Sequence, residues 1–269
     1  MRIIIPILFA GFLLGCTETK FNTIGDIEYK RFGEECLDTN LTHWLIDIEA
    51  RNAKDSVYLN TKKLGRKVEF VANAANIGSD LYKILEQTCS SDSVKVRCSA
   101  RDFYQAFNGS VPSYLSPGEK ISCTIYFSDK LSSKSYVAHK LGFESELITK
   151  YLKKSNWNTK YDSLTGIYYE TLKQSANART EFKKAKFKYL IKSINDKIIA
   201  YSKDNDPLVY DVNDRSILLG IQELSRKMSE GESLRAVVPS TQAFGPIGNS
   251  KVTGYMPIII ELELIEIIE

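Results

Sequence analysis

The strongest constraint on the fold is that the apolar pattern in the first half of the chain recurs in the second half. Four aliphatic pairs share a separation of 140 positions (217 minus 77 for the first): Ile77 with Ile217, Leu81 with Ile221, Ile84 with Leu224, and Val94 with Leu234. A further strand match sets Trp44, Ile46 and Ile48 against Phe187, Tyr189 and Ile191. Such self-similarity is typical of a duplicated domain. The sequence therefore predicts two lobes with one fold.

The C-terminal segment shows most clearly what each lobe contains. Ile221, Leu224 and Met228 lie at spacings of three and four residues, which predicts one face of a helix. Segments 234–238 and 258–268 alternate between apolar and other side chains, which predicts strands. A glycine-rich loop separates these strands. The pattern predicts an α+β lobe in which an antiparallel sheet wraps one short helix.

Four motifs in this region resemble the FKBP family of peptidyl-prolyl cis-trans isomerases. They are Leu219-Gly220-Ile221-Gln222-Glu223-Leu224, Met228-Ser229-Glu230-Gly231-Glu232, Pro239 with Ala243-Phe244-Gly245, and Pro257-Ile258-Ile259-Ile260-Glu261-Leu262-Glu263-Leu264. The resemblance extends back to about Gly166 and implies an FKBP-like fold for both lobes. The N-terminal lobe is expected to be a degenerate copy, because Ser110 to Pro117 replaces the glycine-rich flap of the family.

The resemblance implies catalysis of rotation about X-Pro peptide bonds. Amide resonance gives this rotation a barrier of about 18–20 kcal/mol. The family lowers the barrier with an apolar pocket that strips water from the imide and favours its twisted form. Such a mechanism needs no nucleophile, metal or cofactor, and its expected partners are proline-containing polypeptides.

Seven residues of the C-terminal lobe stand at pocket positions of the family. Tyr189 corresponds to a strand tyrosine on the pocket wall. Phe244 corresponds to a tyrosine whose hydroxyl binds the ligand, and these two residues are the candidate catalytic residues. The candidate substrate-binding residues are Leu208, Ile217, Leu218, Ile221 and Ile260.

The sequence Ile199-Ala200-Tyr201-Ser202 departs from the phenylalanine-aspartate-serine pattern of the family. Ala200 is interpreted as replacing the aromatic residue and Tyr201 as replacing the acid. Together with the hydroxyl missing at Phe244, this predicts weak catalysis. The alternative function is a non-catalytic FKBP-like lipoprotein that binds a protein partner or scaffolds an envelope assembly.

The first residues have the pattern of a bacterial lipoprotein signal. One basic residue, Arg2, precedes an apolar run that ends in Leu13-Leu14-Gly15-Cys16, which resembles a lipobox. The resemblance implies that residues 1–15 are removed and that Cys16 is acylated, since several acyl chains hold a protein firmly to a membrane. We therefore expect an exported, lipid-anchored protein of the cell envelope that faces the periplasm or the cell surface.

Charge, histidine spacing and cysteine content bear on nucleic-acid binding, metal binding and disulfide formation. A net charge of +3 and the lack of a long basic run argue against nucleic-acid binding. The two histidines lie far apart, which argues against a histidine-based metal site. After Cys16, an exported chain has four cysteines with three possible pairings: Cys36, Cys89, Cys98 and Cys123. Cys98 and Cys123 lie on predicted strands and are either bonded or buried as free thiols.

These patterns divide the chain into five segments. Residues 1–15 are the signal peptide, 16–23 a polar tether, and 24–135 the degenerate FKBP-like lobe. Residues 136–162 hold a connector helix, predicted over Phe143 to Leu152, and a polar linker. Residues 163–269 form the isomerase-like lobe.

Overall fold

The computed structural model describes residues 20–36, 40–65, 67–72, 79–177, 181–203 and 205–268. The chain forms two compact units, Met1–Tyr136 and Val137–Glu269, which we call the N-terminal lobe and the C-terminal lobe. The predicted signal peptide, Cys16 and Ile77 lie outside the described residues. No helix within the described ranges is both long enough and apolar enough to cross a membrane.

The N-terminal lobe is an antiparallel sheet with two short helices. Its elements are β1 (Asn22–Ile24), β2 (Ile27–Phe32), β3 (His43–Arg51), β4 (Val57–Asn60), β5 (Val68–Val71), α1 (Asp80–Glu86), β6 (Ser93–Ser99), α2 (Ala100–Ala106) and β7 (Lys120–Leu131). The strand order is β1-β2-β6-β7-β3-β4, and β5 also pairs with β3. Helix α1 buries Leu81, Ile84 and Leu85 in the core of this lobe.

The C-terminal lobe has the same kind of sheet around one helix. After α3 (Ser133–Ser155) its elements are β8 (Lys160–Asp162), β9 (Ile167–Lys173), β10 (Lys184–Ser193), β11 (Ile198–Tyr201), β12 (Leu208–Asp211), α4 (Leu219–Ser225), β13 (Ser233–Val238), a 3₁₀ turn (Ser240–Gln242) and β14 (Ile258–Ile268). The strand order is β11-β10-β14-β13-β9-β8, and β12 also pairs with β10. Read from the other edge, this is the order of the N-terminal sheet.

The identical strand order confirms the predicted α+β fold of two equivalent lobes. The register of three neighbouring strands is the same in the two lobes. Ile125 pairs with Val94 on one side and Ile48 on the other, and Leu262 pairs with Leu234 and Tyr189 in the same way. Each lobe also has a bulge at the same place, beside Ile46 and beside Phe187. Ile48 therefore corresponds to Tyr189 and Ile46 to Phe187. The sequence match, which set Ile46 against Tyr189, is wrong by two residues along this strand.

Helix α3 is longer than the segment predicted from its apolar residues. It begins at Ser133 because the side chain of Ser132 accepts a hydrogen bond from the Ser135 amide (3.2 Å), as an N-cap residue does. Its polar first turns gave no periodic signal. The expected polar linker is also partly ordered, since Lys160–Asp162 pairs with β9.

Two of the four cysteines are bonded, and the other two are free thiols. Cys36 and Cys89 form a disulfide with their Cα atoms 5.1 Å apart, whereas Cys98 and Cys123 are buried free thiols. Burial raises the pKa of Cys98 to about 12 and also raises the pKa of Cys123. Because the thiolate is the reactive form, both free cysteines are expected to be inert in the folded lobe.

Thiol counting tests this pairing on residues 17–269, the form without the signal peptide and Cys16. We expect a thiol reagent to modify neither free cysteine in the native protein, both after denaturation, and all four cysteines after reduction. Cys36→Ser should lower the free energy of unfolding by about 2–4 kcal/mol because it removes the crosslink. Labelling of Cys36 or Cys89 before reduction, located by mass spectrometry, would contradict the pairing. Rapid labelling of Cys98 or Cys123 without denaturant would contradict their burial.

Candidate functional site

The C-terminal lobe holds a cavity of about 370 Å³ between its sheet, its helix and the loop before β14. Strands β10, β11 and β12 form one wall, helix α4 and the residues before it form the floor, and the loop forms the far side. The lining residues are Tyr189, Ile191, Ile199, Ala200, Leu208, Ser216, Ile217, Leu218, Ile221, Phe244, Asn249, Ser250 and Lys251. The cavity is thus mainly apolar, with polar side chains at its rim.

Six of the seven predicted site residues come together here: Tyr189, Leu208, Ile217, Leu218, Ile221 and Phe244. Ile260 does not line the cavity. It is fully buried at the centre of the sheet, where it pairs with Ile191 on one side and Ala236 on the other. Its side chain packs in the core cluster that also contains Ile221.

The structure corrects the predicted role of Tyr201 as the residue that replaces an acid in the pocket. Ile199 and Ala200 line the cavity, whereas Tyr201 is 60% exposed. Tyr201 pairs with Leu190, and both line a separate cavity of about 690 Å³ on the outer face of the sheet. Tyr201 therefore cannot stand in for an acid in the pocket. The wall position next to Ile199 belongs to Ala200, which brings no polar group.

Ser202 fixes the backbone of Tyr189 at the cavity wall. The Tyr189 amide donates to the Ser202 hydroxyl (3.0 Å), and the Ser202 amide donates to the Tyr189 carbonyl (3.0 Å). The Tyr189 hydroxyl makes no hydrogen bond to any residue in the described parts of the chain. Tyr189 lines both this cavity and the 690 Å³ cavity on the outer face of the sheet.

The polar rim was not predicted from the sequence. Among the described residues that line the cavity, Lys251 is the one that is charged, and its ammonium group donates to the Ile199 carbonyl (2.6 Å). Asn249 shapes this part of the loop, because its side-chain oxygen accepts from the amides of Lys251 and Val252 (both 2.8 Å). The sequence marks these residues only as loop, so nothing in it indicates that they turn towards the cavity.

Close packing of helix α4 fixes the floor. A Cβ atom on Gly220 would lie 2.6 Å from Val238 Cγ1 and 3.1 Å from the Gln242 carbonyl oxygen. Only glycine lets the helix approach both the end of β13 and the 3₁₀ turn so closely. The neighbouring Ile221 is thereby set into the cavity floor, and its side chain is 4% exposed.

The described part of the N-terminal lobe fills the corresponding position with its own side chains. Tyr58 is the counterpart of Ile199 by strand register. Helix α2 stands where the C-terminal lobe has its glycine-rich loop, and its Tyr104 and the following Phe107 pack against the core together with Tyr58. The rings of Phe107 and Phe70 are in edge contact, with centroids 5.2 Å apart. The described part of this lobe has a smaller and more polar cavity of about 250 Å³, beside Asp26, Asp80 and Asp102.

The chain is similar to solved structures of FKBP-type peptidyl-prolyl isomerases. The peptidyl-prolyl cis-trans isomerase of Pseudomonas syringae pv. tomato is 22% identical over 49% of this chain and 96% of that chain, with a TM-score of 0.42. FkpA of Escherichia coli is 18% identical over 50% and 65% of the two chains, with a TM-score of 0.41. The three FKBP domains of wheat FKBP73 are 15% identical over 90% and 95%, with a TM-score of 0.38.

No family model matches the chain, and no curated protein sequence is a significant match. The identities to these solved structures are at most 22% and the TM-scores at most 0.42. The function of the protein therefore has to be inferred from the cavity and its residues.

Proposed function

We propose that the C-terminal lobe is a peptidyl-prolyl cis-trans isomerase with a modest rate, and that it acts on proline-containing polypeptides in the cell envelope. The observation that carries the proposal is the apolar cavity in which six residues meet that the resemblance places in the pocket. Strands β10, β11 and β12 and the region of α4 supply most of this lining, and the loop before β14 supplies the rest, so most of the site is preformed. A preformed, mainly apolar cleft with a few polar groups is the usual form of a ligand site.

The proposed chemistry depends on the loss of water from the bound imide and on the hydrogen-bond donors of the cavity. A proline ring seated against Leu208, Ile217 and Ile221 would place the X-Pro imide in a region of low polarity. Loss of water disfavours the planar, charge-separated imide relative to the twisted form, in which amide resonance is lost. Five lining residues have side chains that can donate a hydrogen bond to the substrate carbonyls: Tyr189, Ser216, Asn249, Ser250 and Lys251. No bond is made or broken, so neither a nucleophile nor a cofactor is needed.

The second candidate is a non-catalytic FKBP-like lipoprotein that binds a protein partner or scaffolds an assembly. Two observations favour it. Ala200 and Phe244 bring no polar group to the wall, and the N-terminal lobe fills its own counterpart of the cavity. The isomerase proposal ranks first because six of the seven predicted site residues line one apolar cavity in the C-terminal lobe.

An isomerisation assay with matched variants tests the assignment. We expect residues 17–269 to accelerate cis-trans exchange of an X-Pro peptide, which takes tens to hundreds of seconds unaided. Ala200→Trp should reduce the acceleration about tenfold or more, equivalent to about 1.4 kcal/mol, because the indole would occupy the cavity. Tyr201→Ala is the control and should leave the rate unchanged, since Tyr201 faces the other surface.

A wild-type protein that does not accelerate exchange, yet binds the peptide, would replace the isomerase by the binding alternative. Full activity in the Ala200→Trp variant would mean that catalysis occurs outside this cavity.

Restoring a hydroxyl at the cavity wall should raise the rate. Phe244→Tyr adds a donor where the resemblance implies one, and a single hydrogen bond is worth about 0.5–1.5 kcal/mol, or roughly threefold to tenfold in rate. Phe143→Tyr makes the same chemical change on an exposed position of α3 and serves as the control. Peptide exchange rates measured at equal protein concentration check the prediction, which would be wrong if both variants behaved alike.

The proposed location rests on the lipobox and gains support from the disulfide. Disulfides persist in oxidising compartments, and the Cys36–Cys89 bond fits a protein outside the cytoplasm. We propose that Cys16 is the acylated first residue of the mature protein and that the protein faces the periplasm or the cell surface. The tether predicted over residues 16–23 ends before Asn22, because Asn22 and Thr23 pair with β2 as part of β1.

Fractionation of cells tests the lipid anchor. Cys16→Ser should either release the protein from the membrane fraction or leave it unprocessed, because the acceptor thiol is lost. Gly11→Ala, within the apolar run, is a control that should still be processed and sediment with membranes. A processed Cys16→Ser protein that remains in the membrane fraction would rule out anchoring through this residue.

A further inference from the structure

Helix α3 lies outside the part of the chain that resembles the FKBP family, yet it supplies a buried carboxylate to the C-terminal lobe. Glu144 is 3% exposed and shares the buried face of the helix with Ile148. Burying a carboxylate is costly unless its oxygens are hydrogen-bonded. The contacts of Glu144 therefore indicate why this helix position is not apolar.

Both carboxylate oxygens of Glu144 accept hydrogen bonds from Ser240. The Ser240 amide donates to Oε1, and the Ser240 hydroxyl donates to Oε2 at 2.9 Å. Ser240 is itself 1% exposed, so the pair is shielded from water. Burial raises the pKa of Glu144, and the two hydrogen bonds from Ser240 oppose that rise.

Ser240 begins the 3₁₀ turn that leads to Phe244 on the cavity wall. Its carbonyl oxygen accepts hydrogen bonds from the amides of Ala243 (2.9 Å) and Gly245 (2.8 Å), the two residues that flank Phe244. On its other side the turn contacts α4, where Gly220 lies close to the Gln242 carbonyl. The turn is therefore held between Glu144 and the helix that forms the cavity floor.

We propose that Glu144 is a positioning residue of the peptide site, which holds the turn that sets Phe244 on the cavity wall. Helix α3 is thus a component of the site as well as the link in sequence between the lobes. The effect of Glu144 on the rate rests on the proposed isomerase function, whereas its effect on the turn does not. Because Phe244 lies in a loop, its position depends on contacts such as these.

Hydrogen exchange and isomerase rate, measured on residues 17–269, separate these two effects. Glu144→Leu removes both acceptors, so the amides of residues 240–248 should exchange about tenfold faster, while those of β14 stay protected. The isomerase rate of this variant should fall about threefold to tenfold. Glu144→Gln should restore both properties, since its amide oxygen can accept from the Ser240 amide and its NH₂ can donate to the Ser240 hydroxyl. Glu146→Leu, on an exposed position of the same helix, should change neither.

Faster exchange of residues 240–248 in Glu144→Leu, with rescue in Glu144→Gln, supports the proposal even if the wild type proves not to be an isomerase. Unchanged exchange in this segment, or faster exchange spread evenly over both lobes, would overturn it. If Glu144→Leu does not fold, Ser240→Ala tests the proposal instead, because it removes only the hydrogen bond of the hydroxyl. The proposal then requires faster amide exchange that is confined to residues 240–248.

Discussion

Burial of helix α4 against the concave face of the C-terminal sheet is the interaction on which the rest of this lobe depends. Strand β14 lies at the centre of that sheet and pairs with β10 along one side and β13 along the other. Its inward residues, Ile258, Ile260, Leu262 and Leu264, are almost completely buried with Ile221 and Leu224 of the helix. The cavity lies between this helix, strands β10, β11 and β12, and the loop before β14.

The two lobes show how one topology can present an open site or a filled one. Their strand orders coincide, as do the bulges beside Ile46 and Phe187, and the main difference lies between the strand after the helix and the last strand. There the C-terminal lobe has a loop whose glycines allow tight turns, such as Gly248 with a φ of +73°. The N-terminal lobe has α2, whose aromatic residues pack into the core. Aromatic packing therefore stabilises one lobe at the place where the other leaves room for a ligand.

Most of the fold could be predicted from the sequence, because inward residues on strands and helices leave a periodic apolar pattern. The pattern located α4, β13 and β14, and the repeat located their counterparts. It could not place the residues of the short strand β11, since the bulge between Ile191 and Lys192 shifts the alternation. The assignment of Tyr201 to the pocket came from matching Ile199-Ala200-Tyr201-Ser202 to the family motif, which does not account for this bulge. Hydrogen bonds between distant residues, such as Glu144 with Ser240, leave no periodic signal at all.

Methyl-detected NMR of residues 17–269 with an X-Pro peptide tests the central claim most directly, because one experiment reports both where the peptide binds and how fast it isomerises. The account predicts shifts of the methyl groups of Ile199, Ile217 and Ile221, with cis-trans exchange peaks for the peptide and no shift of Ile46 or Ile48. Shifts centred on the N-terminal lobe, or on Leu172 and Leu190 of the outer face, would contradict the assignment of the site. Binding in the cavity without exchange peaks would contradict catalysis.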